Sequence, residues 1–121
     1  MSENILKTKS FAFSLKIVEV YKEIVKDYKE YVLSKQLLKA GTSIGAMIRE
    51  SEFAQSKADF ISKLSIGLKE SNEAEYWILL VQQSNYITEK KAELLLAYNR
   101  ELTSMLVASV KTTKKSLNKK Y

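Results

Sequence analysis

A chain of 121 residues with 45% hydrophobic and 28% charged residues has the length and balance of one globular domain. It contains no Cys and no His, which excludes thiol nucleophiles, imidazole bases, disulfides and the usual zinc sites. The net charge of +6 is carried by the ends: residues 1–16 hold three lysines against one glutamate, residues 17–101 hold twelve cations against thirteen acids, and residues 102–121 hold five lysines and no acid.

With no Pro and three Gly, the chain has few breakers and reads as all-α. Ile17, Val18, Tyr21, Ile24, Val25 and Tyr28 recur at spacings of one, three and four, which predicts a first helix from about Ser14 to Tyr31. Its other face, with Glu19, Lys22, Glu23, Lys26, Asp27 and Glu30, mixes signs as a solvated face does.

Ser34 reads as the N-cap of a second helix, its hydroxyl accepting from an orphan backbone N–H. Leu37, Leu38, Gly41, Ile44, Gly45 and Ile48 then form one stripe, ending near Arg49 to Glu52. Each glycine inside a helix costs about 1 kcal/mol against Ala. Gly41 and Gly45, four apart on that stripe, therefore predict the close approach of a neighbouring helix. The segment is no phosphate loop, because the glycines are too close and no Gly-Lys-Ser/Thr follows.

Ser56 and Asp59 make a capping box for a third helix. Ile61, Leu64, Leu68, Ser71, Glu75 and Ile78 form its stripe, and the turn-prone pair Ser84-Asn85 ends it. Within it, Tyr76 to Val81 are six consecutive apolar residues, which at 100° each encircle a helix. Ile78 and Val81 can face a core; Tyr76, Trp77 and Leu80 then need other cover, and a second subunit would supply it. A wide core is the plain alternative.

Thr88 caps a fourth helix with Glu89 in its first turn. Leu95, Tyr98 or Asn99, Leu102, Met105 or Leu106, Ser109 and Thr112 or Thr113 recur nearly every 3.5 residues. Lys111, Lys114 and Lys115 gather at its far end, where they complement the helix dipole, and residues 117–121 read as a frayed end. Short links between four helices give an antiparallel up-down-up-down four-helix bundle. It occupies one domain over residues 1–121, helical over about 14–115, with a basic end at 111–121. Ile24, Leu37, Ile44, Leu64, Leu68, Leu95 and Leu102 are its expected core.

The chemistry left to such a chain is that of carboxylates. Glu50, Glu70, Glu73 and Glu75 could line a bundle interior, but the two-metal pattern in bundles is Glu-x-x-His, and the chain has no His. They read as structural, so no catalytic residue, metal or cofactor is expected. No signal-peptide core is visible, and the longest apolar run is far short of the roughly 20 residues of a membrane span. The expected location is the cytoplasm.

Ser34-Lys35-Gln36-Leu37, Thr42 to Ala46 with Ile48 and Glu50, Ser56 with Asp59-Phe60-Ile61 and Lys63-Leu64, and Lys69-Glu70 with Glu73 and Tyr76-Trp77 form one ordered set of segments. Together they resemble the four-helix-bundle family of 23S rRNA intervening-sequence proteins. The likeness runs from about Ser10 to Lys114. Met47 stands where the family commonly has Asn, and Ser51 where it has Gly or Ala. The resemblance implies an antiparallel bundle without catalytic residues. It also implies self-assembly, in some relatives as a pentameric ring. A protein related in fold, the accessory variability determinant of diversity-generating retroelements, binds a reverse transcriptase and nucleic acid through a basic surface.

The resemblance implies a non-enzymatic homo-oligomer that binds RNA or a nucleoprotein partner electrostatically. Its expected phosphate contacts are Lys111, Lys114, Lys115, Lys119 and Lys120, and its expected oligomer interface is Tyr76, Trp77 and Leu80. The residues alone leave open a protein-interaction or structural module whose lysines serve solubility.

Overall fold

The repeating apolar stripes close, in the computed structural model, into four helices and no strand among the described residues, which are 2–118. They are α1 (Ser2–Tyr28), α2 (Leu33–Ser51), α3 (Lys57–Gln83) and α4 (Glu89–Asn118). The helices pack in the cyclic order α1, α2, α3, α4, with α1 closing against α4. Cross-helix contacts run in opposite directions along each pair. Lys9 meets Glu101 at 3.0 Å, Lys16 lies over the Tyr98 ring, and Lys91 meets Glu23, so α1 and α4 are antiparallel. Exposed pairs of this kind contribute well under about 1 kcal/mol each. Their information is the direction of packing.

The core positions alternate three and four apart on every helix. They are Leu6, Ser10, Phe13, Ile17, Val20 and Ile24 on α1; Ser34, Leu37, Gly41, Ile44, Ile48 and Ser51 on α2; Leu64, Gly67, Ser71, Ala74, Ile78 and Val81 on α3; and Ala92, Leu95, Asn99, Leu102 and Leu106 on α4. A 3.5-residue average keeps each stripe facing the bundle axis when helices cross at about 20°. Six of the seven expected core residues are buried; Leu68 is half-buried and packs on the cluster. On α4 the structure selects Asn99 over Tyr98 and Leu106 over Met105.

Boundaries of α1, α4 and α2 differ from the sequence expectation. Helix α1 begins at Ser2, twelve residues before Ser14, and ends at Tyr28 rather than Tyr31. Leu6, Ser10 and Phe13 continue the stripe into this extension, and buried Ser10 keeps its hydroxyl satisfied by donating to the Lys7 carbonyl at 3.1 Å. At the other end of the chain, Leu117 and Asn118 are helical, so helix extends past residue 115.

The start of α2 differs as well. Ser34 is not its N-cap: it is fully buried inside the helix, and its hydroxyl donates to the Glu30 carbonyl at 2.7 Å. Val32 stands at the N-cap without a side-chain cap. The Glu30 carboxylate does the capping, accepting from the backbone N–H groups of Val32, Leu33 and Ser34 at 3.0, 2.8 and 2.8 Å. Three orphan donors are thus met by one anion, which also suits the positive end of the helix dipole. Lys29, with φ 54°, turns the chain so that Glu30 can reach back. Desolvation pushes the Glu30 carboxyl up, the Leu33, Ser34 and Val32 amides pull it down, and the net position is below its ordinary 4.5.

The other two caps follow the sequence. Ser56 Oγ accepts from Asp59 N–H at 3.0 Å, while Asp59 Oδ2 accepts from Gln55 N–H at 3.1 Å. Thr88 Oγ1 accepts from Lys91 N–H at 3.1 Å.

Glycine at position 41 is required by its neighbour. A Cβ there would lie 2.7 Å from Ile17 Cγ1 and 2.9 Å from Cγ2, atoms next to the Ile17 backbone that cannot swing away. At Gly45 the nearest atom, Ser14 Oγ, would be 3.4 Å off, an ordinary contact. The predicted close approach is therefore real, and its partner is α1.

Substitution by Ala should have opposite signs at these two glycines. Gly41→Ala should destabilise by about 1–3 kcal/mol, because overpacking outweighs the helix-propensity gain. Gly45→Ala should stabilise by up to about 1 kcal/mol. Urea midpoints of the two variants measure this, and equal shifts would show that α1 yields at Ile17.

Glu30 supplies a pH test. Because its folded pKa is depressed, its contribution is fully present above the ordinary carboxylate value and is lost as pH falls through the folded one. Glu30→Gln should therefore be less stable than the unaltered protein at neutral pH, by about 1 kcal/mol as for other lost caps. The gap should narrow below about pH 4.5. A gap independent of pH would rule out the charged cap.

Candidate functional site

An even number of antiparallel helices returns the end of α4 to the level of the start of α3. Lys111, Lys114 and Lys115, at i, i+3 and i+4, share one exposed face of α4. None of the three forms an ion pair with another described residue. Lys119 and Lys120 lie outside the described residues. The topology adds a cation that the sequence expectation omitted. Lys57, in the first turn of α3, donates from Nζ to Ser116 Oγ. The signal for it was the antiparallel order itself, which sets the first turn of α3 beside the last turns of α4.

Three acids at this end are occupied. Glu52 holds Lys7 at 2.9 Å, Glu50 holds Lys63 at 3.6 Å, and Asp59 is engaged in its capping box. The lysine face at this end therefore keeps its charge toward solvent, and the basic ends read from the sequence are joined by a cation from the neutral body.

Along α3 the apolar belt divides. Ile78 and Val81 are fully buried, Trp77 and Leu80 are half-buried, and Tyr76 is 59% exposed. The Tyr76 and Trp77 rings meet edge to face at 5.0 Å. Trp77 packs partly on the core, so the outward part of the belt is Tyr76 together with Leu79, which the sequence expectation had not singled out. A second apolar surface lies on α1, where Phe11 and Leu15 are more than half exposed. Phe11 borders a shallow groove against α2 floored by Ser10, Ser14, Gly45 and Ala46. Phe11 falls before the expected start of α1 and Leu15 just inside it, and their i, i+4 spacing would have marked the pair had the helix been extended.

The carboxylates do not assemble. Among the described residues, no three acidic side chains converge as metal ligands. Glu75 pairs with Arg100 at 3.2 Å and Glu50 with Lys63, while Glu70 and Glu73 stay at the surface of α3. Among the described residues no helix is long and apolar enough to cross a membrane.

An all-α antiparallel bundle whose polar groups serve caps and surface pairs belongs to the helical-bundle class of proteins. Residues 2–108 match the family described as 23S rRNA-intervening sequence protein, and the chain belongs to that family. A solved structure from Bacteroides thetaiotaomicron, described as a protein of unknown function from the S23 ribosomal protein family, is similar throughout. The two share 49% identity with a TM-score of 0.90, covering 92% of this chain and 99% of that one. No functionally curated protein matches the chain.

Proposed function

We propose that the chain is a non-catalytic, self-associating bundle that binds RNA, alone or within an RNA–protein complex, through its lysine end. The observation that supports this best is the set Lys111, Lys114 and Lys115, exposed together beside Lys57, while Glu50, Glu52 and Asp59 are taken by other partners. Ammonium groups on a helix face neutralise phosphates and read no base edges, so binding is weakly sequence-selective and strongly salt-dependent. In an assembly these ends repeat, and several weak contacts act together through high effective concentration. The belt at Tyr76, Trp77 and Leu80 is the proposed subunit contact, and a pentameric ring, implied by the family, is the proposed form. The cytoplasm is the proposed location.

A second reading, a protein-interaction module with no nucleic-acid role, draws on Phe11 and Leu15, whose exposure beside a groove suits an apolar partner. The salt dependence of RNA binding separates the two. Changing Lys111, Lys114, Lys115, Lys119 and Lys120 to Gln should flatten log affinity against log salt by roughly 0.7–0.9 for each lost phosphate contact. An unchanged slope, or no RNA binding by the unaltered protein, favours the protein partner.

Assembly has its own test. Tyr76→Ala removes an exposed ring and should shift light scattering toward monomer without changing helix content. Trp77→Ala should weaken both assembly and stability, because that ring also packs on the core. A monomer at tens of micromolar for the unaltered protein would make the belt a simple core flank.

A further inference from the structure

Phe53 is the most exposed large hydrophobic side chain described, at 77%, yet its backbone is fixed. Its N–H donates to the Glu50 carbonyl at 3.0 Å, and the next amide, Ala54, donates to Ser51 at 3.2 Å. Ser51 is itself buried and donates its hydroxyl to the Ile48 carbonyl at 2.6 Å. The turn therefore holds the Phe53 Cα firmly while leaving the ring in water. Nothing in the core gains from that ring.

Its position is at the lysine end. Four residues later stands Lys57, bonded to Ser116, one residue beyond Lys115. An open recess of about 430 Å³ lies between this connection and α4, bounded by Gln55, Lys57, Phe60 and Thr113. The other exposed aromatics are set differently. Phe11 borders the groove between α1 and α2, Tyr76 lies in the second half of α3, and Tyr28 and Tyr31 stand at the opposite end of the bundle.

We infer that Phe53 is a base-stacking platform, so that the ligand of the lysine end is a single-stranded RNA segment with unpaired bases. The inference rests on the RNA reading above and narrows it. Lysines meet phosphates on paired and unpaired strands alike. A flat ring held at a turn can be used only by a base whose face is free, and in a duplex those faces are already stacked. An aromatic face and an exposed ammonium cluster at one end of the bundle are the two parts that non-sequence-specific single-strand binders combine.

The test compares labelled decauridylate with an RNA duplex of the same length, using fluorescence anisotropy with the intact protein and with Phe53→Ala and Phe53→Tyr. Because the ring is exposed, neither change disturbs the core. Phe53→Ala should weaken decauridylate binding by about 5- to 150-fold, the loss of one stacking contact. It should leave duplex binding and the salt slope unchanged, and Phe53→Tyr should bind as the unaltered protein does. If the lysine variant weakens binding while Phe53→Ala leaves decauridylate affinity unmoved, the RNA reading stands and the stacking platform is overturned. If the unaltered protein binds neither RNA, both are overturned. If Phe53→Ala alters sedimentation of the free protein and not its RNA affinity, the ring contacts a second copy of the chain, and the inference is again overturned.

Discussion

The approach of α1 to α2 at Gly41 sets the geometry from which the rest of the bundle follows. The branched side chain of Ile17 occupies the volume where any other residue at position 41 would place its Cβ. Two helices brought that close share a narrow seam, with Ser10, Ser14 and Gly45 along the same line. The wider stripes of both helices then turn toward α3 and α4, and the large side chains Phe13, Ile24, Leu37 and Ile44 fill the axis. Interiors packed to crystal-like density pass such a constraint along, because a shift at one contact displaces its neighbours.

The α3–α4 side is held differently. Asn99 lies on the core stripe at 1% exposure and donates from Nδ2 to the Ser71 carbonyl at 2.8 Å. Thr103 Oγ1 lies 3.1 Å from Ser71 Oγ and 2.8 Å from the Asn99 carbonyl, two acceptors for its single proton. Sliding α4 along α3 by one turn would strand these polar groups among Leu64, Ile78, Leu95 and Leu102. A buried amide at such a position adds little net stability, but it makes the wrong registers costly. One side of the bundle is thus located by shape and the other by hydrogen bonding.

Much of this was legible in the chain. The stripes on α2 and α4, the caps at Ser56 and Thr88, and the significance of Gly41 rest on local rules that tertiary packing did not override, whereas on α3 the buried stripe runs through Gly67 and Ala74, each one residue before the Leu68 and Glu75 expected from the sequence. The early turns of α1 escaped because the stripe there is broken by Ser10, a polar residue whose burial depends on its own helix carbonyl. Phe11 and Leu15, apolar but outward, further blur the period. The start of α2 was misplaced because Ser34 looks like a cap, while the real cap is a glutamate on the preceding turn, reached only through the positive φ of Lys29. Lys57 and Phe53 share an end with the α4 lysines only after four helices have folded back. No short window of sequence contains that relation.

Both Ser2 and Asn118 lie at the lysine end of the molecule, because four antiparallel passes bring the chain back to where it entered. A fluorophore or affinity handle attached at Ser2 or Asn118 would therefore crowd the lysine face. The turn at Lys29 to Val32 and the one at Ser84-Asn85 stand at the other end, about 40 Å away along helices of 27 residues. Tyr31 and Val32 are exposed there and Asn85 already carries a positive φ, so this end offers attachment points remote from the lysines. The same arithmetic holds for tethering to a surface: a molecule anchored by its far turns presents its cationic end to the solution, and one anchored at Ser2 or Asn118 hides it.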